Sequence, residues 1–215
     1  SGGIDSGALA GLMGDCGAFA YADQEKPGFT QEEVFEFYAD AGFTHGCSPD
    51  HIIFDFDAAN PPASAISQAV LARYDITLEN ARLFLRLTEQ EGRPFEPLGA
   101  VQGWSPESMA NASVALEKMG YRYLAVGGLV PLRPDAIHKC LKAIRERIRP
   151  ETRLHLLGFA KAEQIDEFVG YGINSFDSTS PLIRAFKDAR ANYYLESPMG
   201  GLEYHAAIRV PQAME

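Results

Sequence analysis

Residues 98–129 read LGAVQGWSPESMANASVALEKMGYRYLAVGGL, and the order of apolar and polar residues in this stretch decides the fold class. The apolar runs at 98–102 and 123–126 predict two short strands. Between them, Ser105 is a good N-cap followed by a proline in the first helical turn, and the predicted helix ends at Gly120. Two strands joined by a helix lie parallel in a sheet, so the stretch predicts one unit of a parallel α/β fold.

Outward from this unit, the same alternation covers most of the chain and predicts six strands. They are expected at residues 9–13, 52–55, 98–102, 123–126, 154–157 and 173–176. A last clear helix is expected from Ser180 to Phe186. After about Tyr194 the alternation is lost, and no regular structure is assigned.

Helix signals lie between the predicted strands. The sequence TQEE, which begins at Thr30, is a capping box, and Gly42 is expected to end this first helix. The second helical region is expected at about 63–90, and a break near Asp75 is left open. A later helix begins near Pro134 and is expected to bury apolar side chains that recur every three or four residues (Ile137, Leu141, Ile144 and Ile148).

Two α/β architectures fit this pattern, an open doubly wound sheet and a closed (β/α)8 barrel. An open sheet of this kind commonly carries a glycine-rich phosphate loop, and the sequence contains neither GxGxxG nor GxxxxGK[ST]. We therefore predict a TIM-type barrel. Because six units are two fewer than a barrel has, the first two are expected to be missing from this chain. The barrel core with the functional site is placed at 1–194, and 195–215 is left unassigned.

The composition argues against several classes of protein. With 19 basic and 29 acidic residues, the formal net charge of −10 argues against a protein that coats nucleic acid through charge alone. No apolar run reaches the roughly 18 residues that a membrane span needs. The three cysteines (Cys16, Cys47 and Cys140) show no CxxC spacing, so they predict no disulfide framework or four-ligand zinc site and favour a cytoplasmic setting.

Polar or glycine residues follow each predicted strand. In a barrel the carboxyl ends of the strands meet at one face, where the chemistry takes place. The positions concerned are Asp15, Asp55, Gln102, the Gly127-Gly128 pair, Gly158 and Asp177. Each has a simpler interpretation, since a lone aspartate after a strand is often a helix cap and a glycine pair is often a turn. Together they favour carboxylate chemistry on a sugar, a base or another small ligand.

Six segments of the chain, in the same order, resemble the motifs of the tRNA-guanine transglycosylase family. LMGDCGAF at 12–19 resembles the family's Asp-Ser-Gly-Gly-Phe/Tyr segment, IIFDFD at 52–57 resembles its strand ending in a base-binding aspartate, and LGAVQG resembles its Val-Gln-Gly segment. YLAVGGL, LHLLGF and GINSFDSTSP resemble its Leu-Ala-Ile/Val-Gly-Gly-Leu, Tyr-Leu-Met-Gly and Gly-Val-Asp-Met-Phe-Asp-x-x-x-Pro segments. The resemblance covers roughly residues 11–190.

The resemblance implies a role for each of these positions. Asp177 would attack the sugar and expel guanine, which gives a covalent intermediate, while Asp15 would donate and accept the proton. Asp55 would accept hydrogen bonds from the donor edge of guanine. The base carbonyl would be bound by Gln102, Gly127, Gly128 and Leu129. The two faces of the base would be covered by Phe19 and Leu157. Such chemistry requires a nucleotide that is flipped out of its stack.

The chain departs from the family's pattern at particular positions. The family's serine and second glycine in the first motif are Cys16 and Ala18 here, and its zinc-binding Cys-x-Cys-x-x-Cys with a later histidine is absent. A structural zinc is therefore expected only if a further C-terminal subdomain exists, and no other cofactor is expected. DCGAFAY at 15–21, FYADAGFTHGCSPDHIIFDF at 37–56 and the variant first motif resemble the DNA-modifying branch of the family, which exchanges guanine in DNA for a 7-deazaguanine base such as preQ0. A tRNA substrate is the alternative.

Contacts to a nucleic-acid backbone need basic side chains near the site. The expected contacts closely follow Asp177 (Arg184, Lys187 and Arg190). A second basic set, which shares one helix face, is interpreted as an ordinary solvated face (Lys142, Arg145 and Arg149). A homodimer, a partner subunit, or a role as the catalytically silent subunit of such an enzyme stays open.

A metal-dependent barrel hydrolase is a further alternative. It would use a histidine and aspartate cluster around the second predicted strand, together with a histidine of a neighbouring strand (Asp50, His51, Asp55, Asp57 and His155). The sequence places His51 and Asp55 at opposite ends of that strand, roughly 13 Å apart, which disfavours a shared ion.

Overall fold

In this computed structural model, the described residues are 11–159, 162–180, 183, 186 and 193–205. The described part contains a six-stranded parallel sheet whose strands follow one another in chain order. The strands are β1 Met13–Gly14, β2 His45–Cys47, β3 Glu96–Val101, β4 Tyr123–Val126, β5 Arg153–Leu156 and β6 Ile173–Phe176. This order has no reversal, whereas a doubly wound sheet reverses its strand order at a switch point.

The sheet is curled into part of a barrel. If it were flat, β1 and β6 would lie about 24 Å apart, because adjacent strands are spaced by about 4.8 Å. Instead Asp15, which follows β1, and Asp177, which follows β6, line the same cavity. The prediction of an α/β fold with a parallel, barrel-like sheet is therefore confirmed.

The helices lie in the connections between the strands. They are α1 Gln31–Asp40, α2 Gln68–Gln90, α3 Pro106–Met119 and α4 Pro134–Arg145, with 3₁₀ segments at Ala18–Tyr21, Ala63–Ala65 and Ala162–Tyr171. The predicted capping box at Thr30 is confirmed, and Ser105 caps α3 by accepting a hydrogen bond from the backbone N–H of Ser108. Of the predicted helix at 180–186, Ser180, Ile183 and Phe186 are helical, and the other residues lie outside the described part.

The break left open in the second helix does not occur. α2 runs without interruption, and its N-cap is Ser67, whose side chain accepts a hydrogen bond from the N–H of Val70. The Thr77 hydroxyl donates to the backbone oxygen of Arg73, 2.9 Å away, one turn earlier in the same helix. Thr77 is therefore an interior residue of α2.

The predicted second strand at 52–55 is wrong, because the strand lies earlier, at His45–Cys47. Ile52 and Ile53 lie in a loop that is buried, with only 4% and 3% of their surface exposed, and this burial accounts for the apolar run. The true strand is short and contains Gly46, a poor strand former. Glycine is required there, since a Cβ atom would collide with the ring of Tyr38.

The two faces of the sheet have different surroundings. Leu124 and Val126 of β4 face the main core beneath α3 and α4, where they join Leu154 and Leu156 of β5. Tyr123 and Ala125, the alternate residues, belong to a smaller cluster with Cys47 and Leu98 inside the curl. This alternation fits a strand that is covered by helices on one side and by the barrel interior on the other.

The segment left unassigned contains regular structure. β7 Tyr193–Glu196 pairs antiparallel with β8 Leu202–His205, and the two strands form a separate two-stranded sheet. The glycines at 200 and 201 both have positive φ, as the tight connection requires. Within the described residues, no helix is long and apolar enough to cross a membrane.

Candidate active site

A cavity of about 570 Å³ opens at the carboxyl ends of the strands. It is lined by residues that directly follow β1, β3, β4, β5 and β6, namely Asp15, Gln102, Gly127, Gly128, Gly158 and Asp177. The structure thus brings together the predicted strand-end residues, with one exception. A site of this size admits a purine-like ligand and is placed where barrels bind their substrates.

The exception is Asp55, which is exposed and is not among the residues that line the cavity. Asp50 lines the cavity instead, and only 2% of its surface is exposed. The displacement follows from the shift of β2, because Asp50 comes three residues after the true end of that strand at Cys47. The carboxylate at this strand end is therefore Asp50. Our hypothesis is that Asp50, rather than Asp55, accepts the hydrogen bonds of the base.

Asp50 is held by short contacts to its neighbours. Its Oδ2 accepts a hydrogen bond from the Gln102 amide at 2.6 Å, and its Oδ1 accepts one from the Cys16 thiol at 3.2 Å. Burial, together with the charge of Asp15, raises the pKa of Asp50 to about 6, although the Gln102 hydrogen bond opposes the shift. The Tyr21 hydroxyl donates to the backbone oxygen of Asp50 at 2.9 Å, which fixes the loop.

The Gly127-Gly128 pair is needed for packing against Gln102. A Cβ atom on Gly127 would collide with the Gln102 amide nitrogen, and one on Gly128 would lie 3.3 Å from its oxygen. Gly128 also has a φ of +72°, which glycine adopts without strain. Gln102 accepts a hydrogen bond from the Ile53 N–H at 3.3 Å. Its amide nitrogen has two hydrogens, one for Asp50 and one for a ligand.

Asp15 lies on the loop that follows β1, and its carboxyl group is close to that of Asp50. Although part of its side chain is accessible from the cavity, burial by the surrounding walls raises its pKa. The negative charge of Asp177 adds to the increase, and the backbone N–H groups of Gly17 and Cys16 oppose it. A carboxyl group with a raised pKa holds a proton near neutral pH more readily, which suits a general acid and base.

Asp177 is in the opposite electrostatic state. Its Oδ1 accepts a hydrogen bond from the Gly158 N–H at 2.8 Å and lies 3.2 Å from Nε2 of His155. Burial acts to raise the pKa of Asp177, but these two contacts outweigh burial, and the pKa is lowered. An ionised carboxylate at the cavity wall has the protonation state that a nucleophile needs.

Apolar side chains cover the rest of the wall. Phe19 and Leu157, the two predicted stacking residues, both line the cavity. Phe54 lines it too, and its ring centroid lies 6.1 Å from that of Phe19. Phe19 and Phe54 are 61% and 50% exposed, so their rings are accessible to a ligand in the cavity. Leu129 is instead 1% exposed in the main core and does not line the cavity.

The two sets of basic residues that the sequence analysis considered for contact with a nucleic acid have different outcomes. Arg184, Lys187 and Arg190 lie outside the described residues. On α4, Lys142 forms an ion pair with Glu146, in agreement with a solvated face. Arg145 instead donates to several backbone oxygens, including those of Tyr171 at 2.9 Å and Thr152 at 3.0 Å. Arg145 therefore stabilises the neighbouring loops.

The residues of the metal-hydrolase alternative do not converge. His51 is fully buried, and its Nε2 lies 2.8 Å from the backbone oxygen of Gln24, away from the strand ends. In the described part of the chain, the group that could hold an ion is Asp15, Cys16 and Asp50. Burial raises the pKa of the Cys16 thiol, so it stays protonated and is a poor metal ligand.

Comparison with known proteins identifies the family. No family model matches the chain. A DNA-guanine transglycosylase of Salmonella montevideo is 41% identical to it over 204 residues, which cover 93% of this chain and 47% of the relative. The chain belongs to the tRNA-guanine transglycosylase family. The family suggested by the six sequence motifs is therefore confirmed.

Other members of the tRNA-guanine transglycosylase family are more distant. A queuine tRNA-ribosyltransferase of Marinobacter nauticus is 29% identical over 153 residues, which cover 68% of this chain and 38% of that enzyme. One from Aliivibrio fischeri is 33% identical over 95 residues, which cover 43% of the chain and 25% of that enzyme. The chain thus spans less than half the length of these relatives.

Proposed function

We propose that this chain forms the catalytic core of a transglycosylase that exchanges guanine in DNA for a 7-deazaguanine base such as preQ0. The main support is the pairing of Asp15 and Asp177 across one cavity, with their pKa values shifted in opposite directions. A retaining exchange at a sugar needs both a carboxylate that stays ionised and a carboxyl group that carries a proton.

In the first half of the proposed reaction, the Asp177 carboxylate attacks the anomeric carbon of a flipped nucleotide. A bond forms between that carbon and a carboxylate oxygen as the bond from the sugar to guanine breaks. Asp15 supplies the proton that the departing base takes up. In the second half, Asp15 accepts a proton from the incoming base, whose nitrogen attacks the same carbon and releases Asp177.

Recognition of the base is assigned to the opposite wall. Asp50, when ionised, accepts hydrogen bonds from the ring N–H and the exocyclic amine of a guanine-like base. With a pKa of about 6, Asp50 is mostly ionised at neutral pH. The Gln102 amide and the backbone N–H groups near Gly128 bind the base carbonyl. Phe19 and Leu157 cover its two faces, and Phe54 extends the aromatic surface beside Phe19.

The preference for DNA rests on the relative named DNA-guanine transglycosylase, which matches almost the whole chain at higher identity than the tRNA-ribosyltransferases do. Action on tRNA is the second candidate, because those tRNA enzymes match as well. Because the six parallel strands of the described part are two fewer than a closed barrel has, the proposal also includes two further strand–helix units that complete the barrel. A homodimer or partner subunit, and a cytoplasmic location, belong to the same proposal.

The test offers the protein DNA or tRNA that carries radiolabelled guanine, together with preQ0. We expect label to be released from DNA and a protein–DNA adduct to survive denaturing electrophoresis. Release from tRNA alone would overturn the choice of DNA and favour the second candidate. Release from neither polymer would overturn the transglycosylase proposal and leave the silent-subunit alternative.

A further inference from the structure

A row of polar side chains lies inside the curl, directly beneath Asp177. Tyr123 of β4, His155 of β5 and Ser175 of β6 come from adjacent strands. Nδ1 of His155 lies 2.7 Å from the Ser175 hydroxyl, which contacts the Tyr123 hydroxyl at 2.5 Å. Nε2 of His155 then reaches Oδ1 of Asp177 at 3.2 Å. The row is therefore a continuous hydrogen-bonded chain that ends on the proposed nucleophile.

The backbone of β5 and β6 is arranged so that this chain forms. Leu154 pairs with Ile173, but His155 pairs with Ser175, so the register shifts by one residue at Asn174. The Asn174 side chain accepts a hydrogen bond from the Leu154 N–H at 3.1 Å, in place of a regular strand contact. A bulge of this kind re-aims the residues that follow it. Here it places Ser175 opposite His155.

The hydrogen-bonding capacity of each group sets the direction of the chain. A carboxylate only accepts hydrogen bonds, so Nε2 of His155 must have the hydrogen that points at Asp177. In a neutral imidazole Nδ1 is then an acceptor and takes the hydrogen of the Ser175 hydroxyl. The oxygen of Ser175 in turn accepts from the Tyr123 hydroxyl. Every member of the chain is thereby satisfied, although the His155 side chain is only 3% exposed.

We infer that His155 is a positioning residue for Asp177, an inference that rests on the proposed function. Its Nε2–H and the N–H of Gly158 both hold Oδ1. Since both of these donors end on Oδ1, we assign Oδ2 as the oxygen that bonds to the sugar. The two donors fix the carboxylate plane for attack, and they stabilise the charge that returns to Asp177 when the intermediate breaks down.

Two substitutions separate positioning from simple packing. Glutamine places an amide N–H near the position of Nε2, whereas asparagine places its amide near Nδ1 and does not reach Asp177. We expect His155→Gln to keep kcat of base exchange within about tenfold, and His155→Asn to lower kcat by about 10²-fold. KM for the incoming base should change by less than about twofold in both variants, since His155 does not line the cavity. His138→Gln, at a partly buried histidine of α4 that does not line the cavity, is the matched control.

Equal losses in the two variants, or a loss confined to KM, would overturn the inference. A second measurement needs no activity and stands if the proposed function fails or a variant does not fold. The ¹⁵N NMR spectrum of the wild-type imidazoles reports which ring nitrogen carries hydrogen, and His155→Gln or His155→Asn assigns the signal. We expect hydrogen on Nε2 of His155. A bare Nε2 would contradict donation to Asp177.

Discussion

The two sides of the cavity carry the same kind of side chain in opposite states. On the side of β1 and β2, Asp15 and Asp50 have raised pKa values. On the side of β5 and β6, Asp177 has a lowered pKa. All three are aspartates that follow strands, so residue type and position do not distinguish them. The difference comes from what each carboxylate contacts.

The contacts of each carboxyl group explain why its pKa is raised or lowered. Asp50 is buried, the neutral Gln102 amide and Cys16 thiol donate hydrogen bonds to it, and the charge of Asp15 lies nearby. Asp177 is less buried and receives the Gly158 N–H and the His155 contact on one oxygen. Burial and like charge favour the protonated form, and donors aimed at a carboxylate favour the ionised form. One cavity thereby contains both an acid and a nucleophile.

Replacing Asp177, the carboxylate with the lowered pKa, should have the largest effect. Asp177→Asn keeps the shape of the side chain but cannot form the sugar–carboxylate bond. We expect base exchange to fall by more than about 10⁴-fold and the covalent adduct to disappear. The pKa of Asp15 should also fall, because the charge of Asp177 contributes to raising it. An adduct that persists in a folded Asp177→Asn protein would contradict the assignment.

Removing the proton carrier should have a smaller effect. Asp15→Asn leaves the nucleophile in place but supplies no proton to the departing guanine. The rate of guanine release in a single turnover should fall by about 10²- to 10⁴-fold, as is usual for loss of a general acid. Binding of the base should change little by comparison. A variant that binds the base weakly but releases guanine at the wild-type rate would place Asp15 in recognition instead.

The smallest of the three effects is expected for Asp50, the residue proposed to recognise the base. Asp50→Asn should raise KM for the incoming base by about 10- to 10²-fold, since a buried hydrogen-bond acceptor is lost. Asp55→Asn, five residues away on the exposed loop, should change KM by less than about twofold. In the wild type, base affinity should fall as the pH drops through about 6, because Asp50 becomes protonated. The reverse ranking of the two variants would return the role to Asp55.

Much of the frame could be predicted from the sequence, because local signals and the final fold agree there. Strand β4 and the helix that begins after Ser105 lie where the apolar run and the cap predict them. Asp15 and Asp177 could be singled out, since each stands just after a strand of the alternation. The strand β2 could not, because three residues with a central glycine carry almost no pattern, and the buried loop at Ile52 and Ile53 imitates a strand.

The finer parts of the site depend on tertiary contacts that no local pattern records. The sequence predicts Asp50 only as a metal ligand, because the strand predicted at 52–55 places Asp55 at the strand end. Phe54 was placed inside that strand, although its ring belongs to the cavity wall. The chain from Tyr123 to Asp177 joins three strands and requires the bulge at Asn174. The close packing of Gln102 against Gly127 and Gly128 is likewise a tertiary contact.

The most direct test of the divided cavity is a ¹³C NMR titration of the aspartate carboxyl carbons in the ligand-free protein. Asp15→Asn, Asp50→Asn and Asp177→Asn assign the three signals. We predict that Asp177 titrates below the usual aspartate value of 3.8, Asp15 above it, and Asp50 at about 6. A midpoint for Asp177 at or above that of Asp15 would contradict the division into nucleophile and acid.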